Sequence, residues 1–147
     1  DGAMLKSISS DGSVTVNVIA TAPAKDKIMD IALEFTDPDN NHIEEVNYDV
    51  TVTQDGNNVL DETNVHTATG EDSHVTESLS SDNPAEIQIK ILGFGEPNDT
   101  ASWTGPKGET TSLKIVPEFG SIAMMILVVS IISIVAVTAK FKVIPRF

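Results

Sequence analysis

The chain reads as an all-β domain, an antiparallel β-sandwich, followed by one C-terminal transmembrane helix. Three observations predict this. Apolar and polar residues alternate at period two between Ser13 and Val116. Short clusters of Gly, Pro, Asn and Asp interrupt the alternation at close intervals. An uncharged apolar run, Ser121–Ala139, lies near the end of the sequence.

Residues 1–12 read as an N-terminal segment without a strong pattern, with Asp1 expected to be a mature or trimmed start. The sandwich is expected over 13–116. Val14, Val16 and Val18 alternate with Thr15 and Asn17, and Met29, Ile31, Leu33 and Phe35 alternate with Asp30, Ala32 and Glu34. Val46, Tyr48, Val50 and Val52 form the next set. Val59-Leu60 follows, then a weaker pair around Val65 and Val75, then Ile87, Ile89 and Ile91, then Leu113 and Ile115. Turn chemistry separates them at Asp37–Asn41, Asp55–Asn58, Thr69–Asp72, Asp82–Pro84 and Gly105–Gly108. One half-buried face per strand implies two antiparallel sheets packed face to face. About seven short strands in about 100 residues is the pattern of an immunoglobulin- or fibronectin-like sandwich.

Residues 117–120, Pro-Glu-Phe-Gly, read as a linker. Pro117 has no N–H to continue a ladder, and Gly120 supplies a free joint. The run 121–139 holds nineteen residues without charge, proline or glycine, ten of them Ile, Leu or Val. As a helix it would be about 28 Å long, close to the hydrocarbon thickness of a bilayer. Those ten side chains favour insertion by roughly 3–6 kcal/mol. Lys140, Lys142 and Arg146 form a basic tail over 140–147, whereas Glu118 precedes the run. Basic flanks stay cytoplasmic, so the expected topology is a single-pass cell-membrane anchor in contact with lipid, with the N-terminal domain outside.

Charge and composition narrow the functions. The 147 residues include no cysteine, which removes disulfides, thiolate metal sites and thiol nucleophiles. Residues 1–118 carry all 22 acidic residues against six lysines, which leaves −16. Such a surface repels nucleic-acid backbones, so no nucleic-acid partner is expected. No Gly-x-Ser-x-Gly elbow, phosphate loop, His-Glu-x-x-His or Gly-x-Gly-x-x-Gly is present, and the chain is not expected to be an enzyme.

Pro117, Glu118, Phe119 and Gly120, followed by an apolar helix and a short basic tail, resemble the C-terminal sorting signal named for that tetrapeptide (PEFG-CTERM) on surface proteins of ammonia-oxidising archaea. The match covers Pro117 to Arg146 and has no substitution in the tetrapeptide. The resemblance implies recognition by a membrane transpeptidase, with or without removal of the helix. IALEFTDPDN, VNYDVTVTQDG and VHTATG are also similar to the small all-β ectodomains of such proteins, which share no assigned activity. The resemblance further implies the copper ammonia monooxygenase as a membrane complex this chain would join.

If consecutive strands alternate in direction, the loops Asp37–His42, around Gly70 and Gly93–Gly108 share the end of the sandwich away from the last strand. His42, His66, His74 and the single Trp103 would then lie at that membrane-distal end. A hairpin centred on Gly70 would set His66 opposite His74, with Val65 and Val75 inward and both imidazoles outward. With Asp72, Glu71 or Asp39 they offer ligands for copper or zinc, against the alternative that they are simply solvated. Asp37, Asp39, Asn41 and the Glu44-Glu45 pair offer oxygens for calcium. An EF-hand loop starting at Asp37 fails, however, at His42 and Tyr48, which favours a turn whose Asp and Asn side chains cap backbone groups. Asn98-Asp99-Thr100 is an acceptor sequon for N-glycosylation at Asn98. Trp103 is either a lid on the core or a partner contact. Ser130 and Ser133 share one face of the apolar helix and mark a contact with another membrane-protein helix.

Two functions fit. The first is an accessory or structural subunit of a larger membrane complex. The second is an independent cell-surface module for adhesion, envelope attachment or metal capture.

Overall fold

Period-two alternation gives each strand one apolar face, and such faces are stable only when paired across a core. The computed structural model describes residues 2–118, and here that pairing is complete. Eight strands are present: β1 (Gly2–Ile8), β2 (Thr15–Thr21), β3 (Asp30–Thr36), β4 (Val46–Gln54), β5 (Asn57–Thr67), β6 (Glu71–Val75), β7 (Ala85–Phe94) and β8 (Glu109–Ile115). A short 3-10 turn, Thr100–Ser102, interrupts the loop before β8. Phe119, Gly120, the run 121–139 with Ser130 and Ser133, and Lys140, Lys142 and Arg146 lie outside the described residues. Among the described residues no helix is long and apolar enough to cross a membrane.

The strands form two four-stranded antiparallel sheets, ordered β1-β2-β3-β6 and β5-β4-β7-β8. Val16, Val18, Ile31, Leu33 and Phe35 from the first meet Tyr48, Val50, Val52, Ile87 and Ile89 from the second in one hydrophobic core. Each is at most 2% exposed, as period two requires. The all-β, sandwich-like architecture read from the sequence is therefore present.

Four details differ from the sequence reading. Residues 1–12 are not a featureless leader, because β1 pairs with β2 over Gly2↔Thr21 to Ile8↔Thr15. Its outward Met4, Lys6 and Ile8 and inward Ala3, Leu5 and Ser7 mix apolar and polar residues on both faces, which hides the period. The β1–β2 turn closes on Asp11, whose carboxylate accepts from the Ser9 and Ser13 hydroxyls and the Ser13 amide. Those bonds, from Ser9 first, hold its pKa down to about 2.

Val59-Leu60 and Val65 belong to one long strand, β5. A bulge at Asn64 (φ 53°) shifts its register against β4 and breaks the alternation there. The expected hairpin about Gly70 does not form. β5 lies in one sheet and β6 in the other, where β6 pairs with β3. Crossing between sheets also reverses the face expected of β6. His74 is buried, and Val75 is 51% exposed.

Every successive strand reverses direction, even where the chain changes sheet. The β1–β2, β3–β4, β5–β6 and β7–β8 connections therefore share one end, and β8 leaves at the other. Backbone hydrogen bonds tie three of these connections together: Phe35 N to Gly70 O, Ile43 N to Phe35 O, Glu45 N to Ala68 O and Gly95 N to Glu45 O. Gly70 is required at this junction. Its φ is +83°, and a Cβ there would stand 2.3 Å from the Ile43 carbonyl oxygen.

A comparison of two glycine variants tests this junction. Gly70→Ala is expected to lower unfolding free energy in urea by at least about 2 kcal/mol, combining backbone strain and collision. Gly56→Ala, at φ +80° with nothing within 4 Å, carries only the strain, about 1 kcal/mol. Equal losses would show that the Gly70–Ile43 contact is not limiting.

Candidate functional site

The loop end holds His42 and His66, whereas His74, expected there from the sequence, lies inside the domain opposite Ile31 near the start of β3; each histidine stands against carboxylates. On one side, Asn47 at the start of β4 points its amide into the β7–β8 loop, where Nδ2 donates to Gly93 O (3.2 Å) and Gly95 O (2.9 Å). That fixes Oδ1 as the acceptor, so His66 Nδ1 donates to it at 2.8 Å. The other ring nitrogen, Nε2, lies 2.9 Å from Glu45 Oε2. His66 thus fastens β5 to the β3–β4 loop, and neither of its nitrogens is free.

His74 is inside. It stands edge-on to Tyr48, with ring centroids 5.8 Å apart. The Tyr48 hydroxyl donates to Asp72 Oδ2 at 2.5 Å and accepts from His74 Nε2 at 2.7 Å. His74 Nδ1 faces Glu62 Oε2 at 3.3 Å. This seam links β4 and β5 of one sheet to β6 of the other, where an apolar core alone would leave the open edges to water. Burial first, then the hydrogen bond to Asp72 and the charges of Asp72 and Glu62, push the Tyr48 phenol far above the ordinary tyrosine range. A tyrosine held this firmly in its neutral form serves as a strut rather than a base.

The metal set His66, His74 and Asp72 is therefore corrected. The two histidines sit in different sheets, paired to Asn47 and Ile31, and both rings are spent on internal hydrogen bonds. At the calcium set the structure shows the capping turn that the sequence favours. Asp37 Oδ1 accepts from the amides of Asp39 and Asn41, both at 2.9 Å, so the carboxylate builds its own turn. Asp39 joins no convergent ligand group among the described residues.

A different trio does converge. His42 Nε2 lies 3.1 Å from Glu34 Oε1 and 3.5 Å from Glu71 Oε1. These come from β3, the β3–β4 loop and the start of β6. The sequence reading placed His42 at this end but could not place the two glutamates beside it, because the β3–β6 pairing skips two strands of the other sheet. Glu34 and Glu71 also line an open groove with Asn17, Ile19, Ala32 and Thr69.

The remaining sequence candidates separate cleanly. Asn98 is exposed in the β7–β8 loop, ahead of the 3-10 turn that begins at Thr100. Trp103 folds back on that loop: Nε1 donates to Glu96 O at 2.7 Å, and the ring lies against Gly93 and Gly95. It is a lid over the loop. Pro117 and Glu118 follow β8 outside regular structure.

Comparison with protein-family models, with curated proteins and with solved structures gives no match to this chain. Its class is accordingly read from architecture and site.

Tyr48 yields a direct measurement, since it is the only tyrosine in the chain. A raised folded-state value means that its contribution is complete below about pH 10, the unfolded value, and falls as pH rises further. Tyrosinate absorbance is thus expected to appear together with loss of β-sheet circular dichroism, not before it. Tyr48→Phe, which leaves Asp72 and His74 short of a partner, should cost about 1–3 kcal/mol at neutral pH. Tyrosinate forming in a still-folded chain would refute the seam.

Proposed function

We propose that this chain is a non-catalytic, membrane-anchored extracytoplasmic β-sandwich serving as an accessory or structural subunit of a larger archaeal membrane complex. The resemblance at Pro117–Gly120 puts the copper ammonia monooxygenase first among such complexes. Strand order supports the immunoglobulin/fibronectin-like reading. With β1 set aside as an addition, β2-β3-β6 correspond to strands A, B and E of that Greek key, and β5-β4-β7-β8 to C′, C, F and G. The apolar run Ser121–Ala139 with Lys140, Lys142 and Arg146 supports a single-pass anchor with the tail inside.

The observation that carries a subunit over a free-standing domain is an exposed apolar row on the outer face of the β1-β2-β3-β6 sheet. Met4 (75% exposed) and Ile19 (48%) are register partners, and Ile19 pairs onward with Ala32. Ile8 and Val75 stand on the same sheet, also exposed, with Ile28 just ahead of β3. The neighbouring Met4, Ile19 and Ala32 make an apolar patch on this face, which supports a contact with another protein over a solvated surface. The tight internal hydrogen bonding of His66, His74 and Trp103 fits scaffolding better than turnover.

Mild-detergent extraction of native membranes, native-gel separation and mass spectrometry of the band test this reading. A defined high-mass band with constant partners is expected, and Ile19→Lys should keep the fold while releasing the chain from it. Migration of the wild-type chain alone would overturn the subunit and favour an independent surface module.

A further inference from the structure

We propose that Glu34, His42 and Glu71 bind one divalent first-row transition ion, with zinc as the probe. The inference is independent of the subunit reading.

The first support is a conflict in the sheet. Glu34 and Glu71 are direct register partners on antiparallel β3 and β6. Like charges opposed across strands are destabilising. The described residues carry far more carboxylates than lysines, and among them no lysine pairs with a carboxylate: every ion pair is made by a histidine. Nothing local relieves the Glu34–Glu71 repulsion except the His42 imidazole or a cation.

The second support is preorganisation. His42 is held by a bridge to Thr36, and Phe35 is bonded through its carbonyl to Ile43 N and through its amide to Gly70 O. Each ligand is therefore adjacent in sequence to a clamped residue: Glu34 to Phe35, His42 to Ile43, Glu71 to Gly70. The backbone, not the side chains, brings three distant segments together. The backbone positions are therefore set before binding, and only the three side chains, each at least partly exposed, remain to be ordered.

The third support is metric. Zinc–nitrogen bonds of about 2.0–2.1 Å and zinc–oxygen bonds of about 2.0–2.2 Å give a tetrahedral ligand–ligand edge of about 3.4 Å. The trio shows 3.1 and 3.5 Å from the imidazole nitrogen to the two carboxylates, and all three ligand atoms lie within 4.8 Å of one another. Small rotamer adjustments would close the set. Both carboxylates are turned toward the same imidazole nitrogen, the atom that would bind the ion. The groove beside Glu34 and Glu71 leaves access for water or a ligand to complete the coordination.

The donor set also selects. One imidazole and two carboxylates suit zinc, and copper more strongly, whereas calcium requires six to eight oxygens.

The test uses the full chain in detergent micelles near neutral pH. Calorimetric titration with zinc is expected to give one ion per chain and a raised thermal midpoint. Glu34→Gln with Glu71→Gln preserves size and removes the repulsion, so that variant should fold and be at least as stable without metal. Its zinc affinity should fall at least tenfold, as should that of His42→Ala, a loop substitution that leaves both strands intact. Asp61→Asn, at an exposed carboxylate of β5 outside the trio, should bind as the wild type does. Wild-type binding no tighter than that of the double glutamine variant would overturn the site and leave His42 as an ionic bridge only. So would an equal thermal shift from calcium, or loss of binding in Asp61→Asn.

Discussion

Much of this domain hangs on the peptide groups of Phe35. Its amide reaches Gly70 in the turn from β5 to β6, and its carbonyl accepts from Ile43 in the turn from β3 to β4. Both turns carry the chain from one sheet to the other, so the clamp holds the two sheets together where no ladder joins them. Buried backbone groups must be paired, and here the pairing sets the geometry of the crossing. The Phe35 side chain meanwhile packs against Tyr48 of the opposite sheet, with ring centroids 5.1 Å apart. One residue therefore fixes the crossing by its backbone and the sheet packing by its ring.

Around that clamp the domain uses two kinds of glue. The centre is apolar and follows from period-two patterning. At one lateral edge, where β5 and β6 belong to different sheets, a polar seam of Tyr48, Asp72, His74 and Glu62 takes over. Such a seam is stable only when each member has a partner, which is why the histidine expected to be free for metal binding is not. The loop end uses the same device through Asn47 and His66. The imidazole left facing a pair of opposed carboxylates is His42, on the clamp itself.

The strong alternations were legible from residue types alone. Val14 to Val18, Met29 to Phe35, Val46 to Val52 and Ile87 to Ile91 all lie in strands or at their borders, with those residues inward. The loop end was legible as well, because reversal at each turn follows from antiparallel connection. β1 was not, since its two faces are mixed in polarity. β5 and β6 were misread because a bulge at Asn64 and a change of sheet each shift which residue faces the core.

By itself, then, the sequence determined the all-β class, the principal core residues, the acidic surface and the apolar run at 121–139. All of these depend on side-chain chemistry and short-range periodicity. Which residues meet was decided by the tertiary structure alone. The pairing of β3 with β6 buries His74, exposes Val75 and sets Glu34 across from Glu71. That register is chosen by packing over the whole core, and no local spacing encodes it.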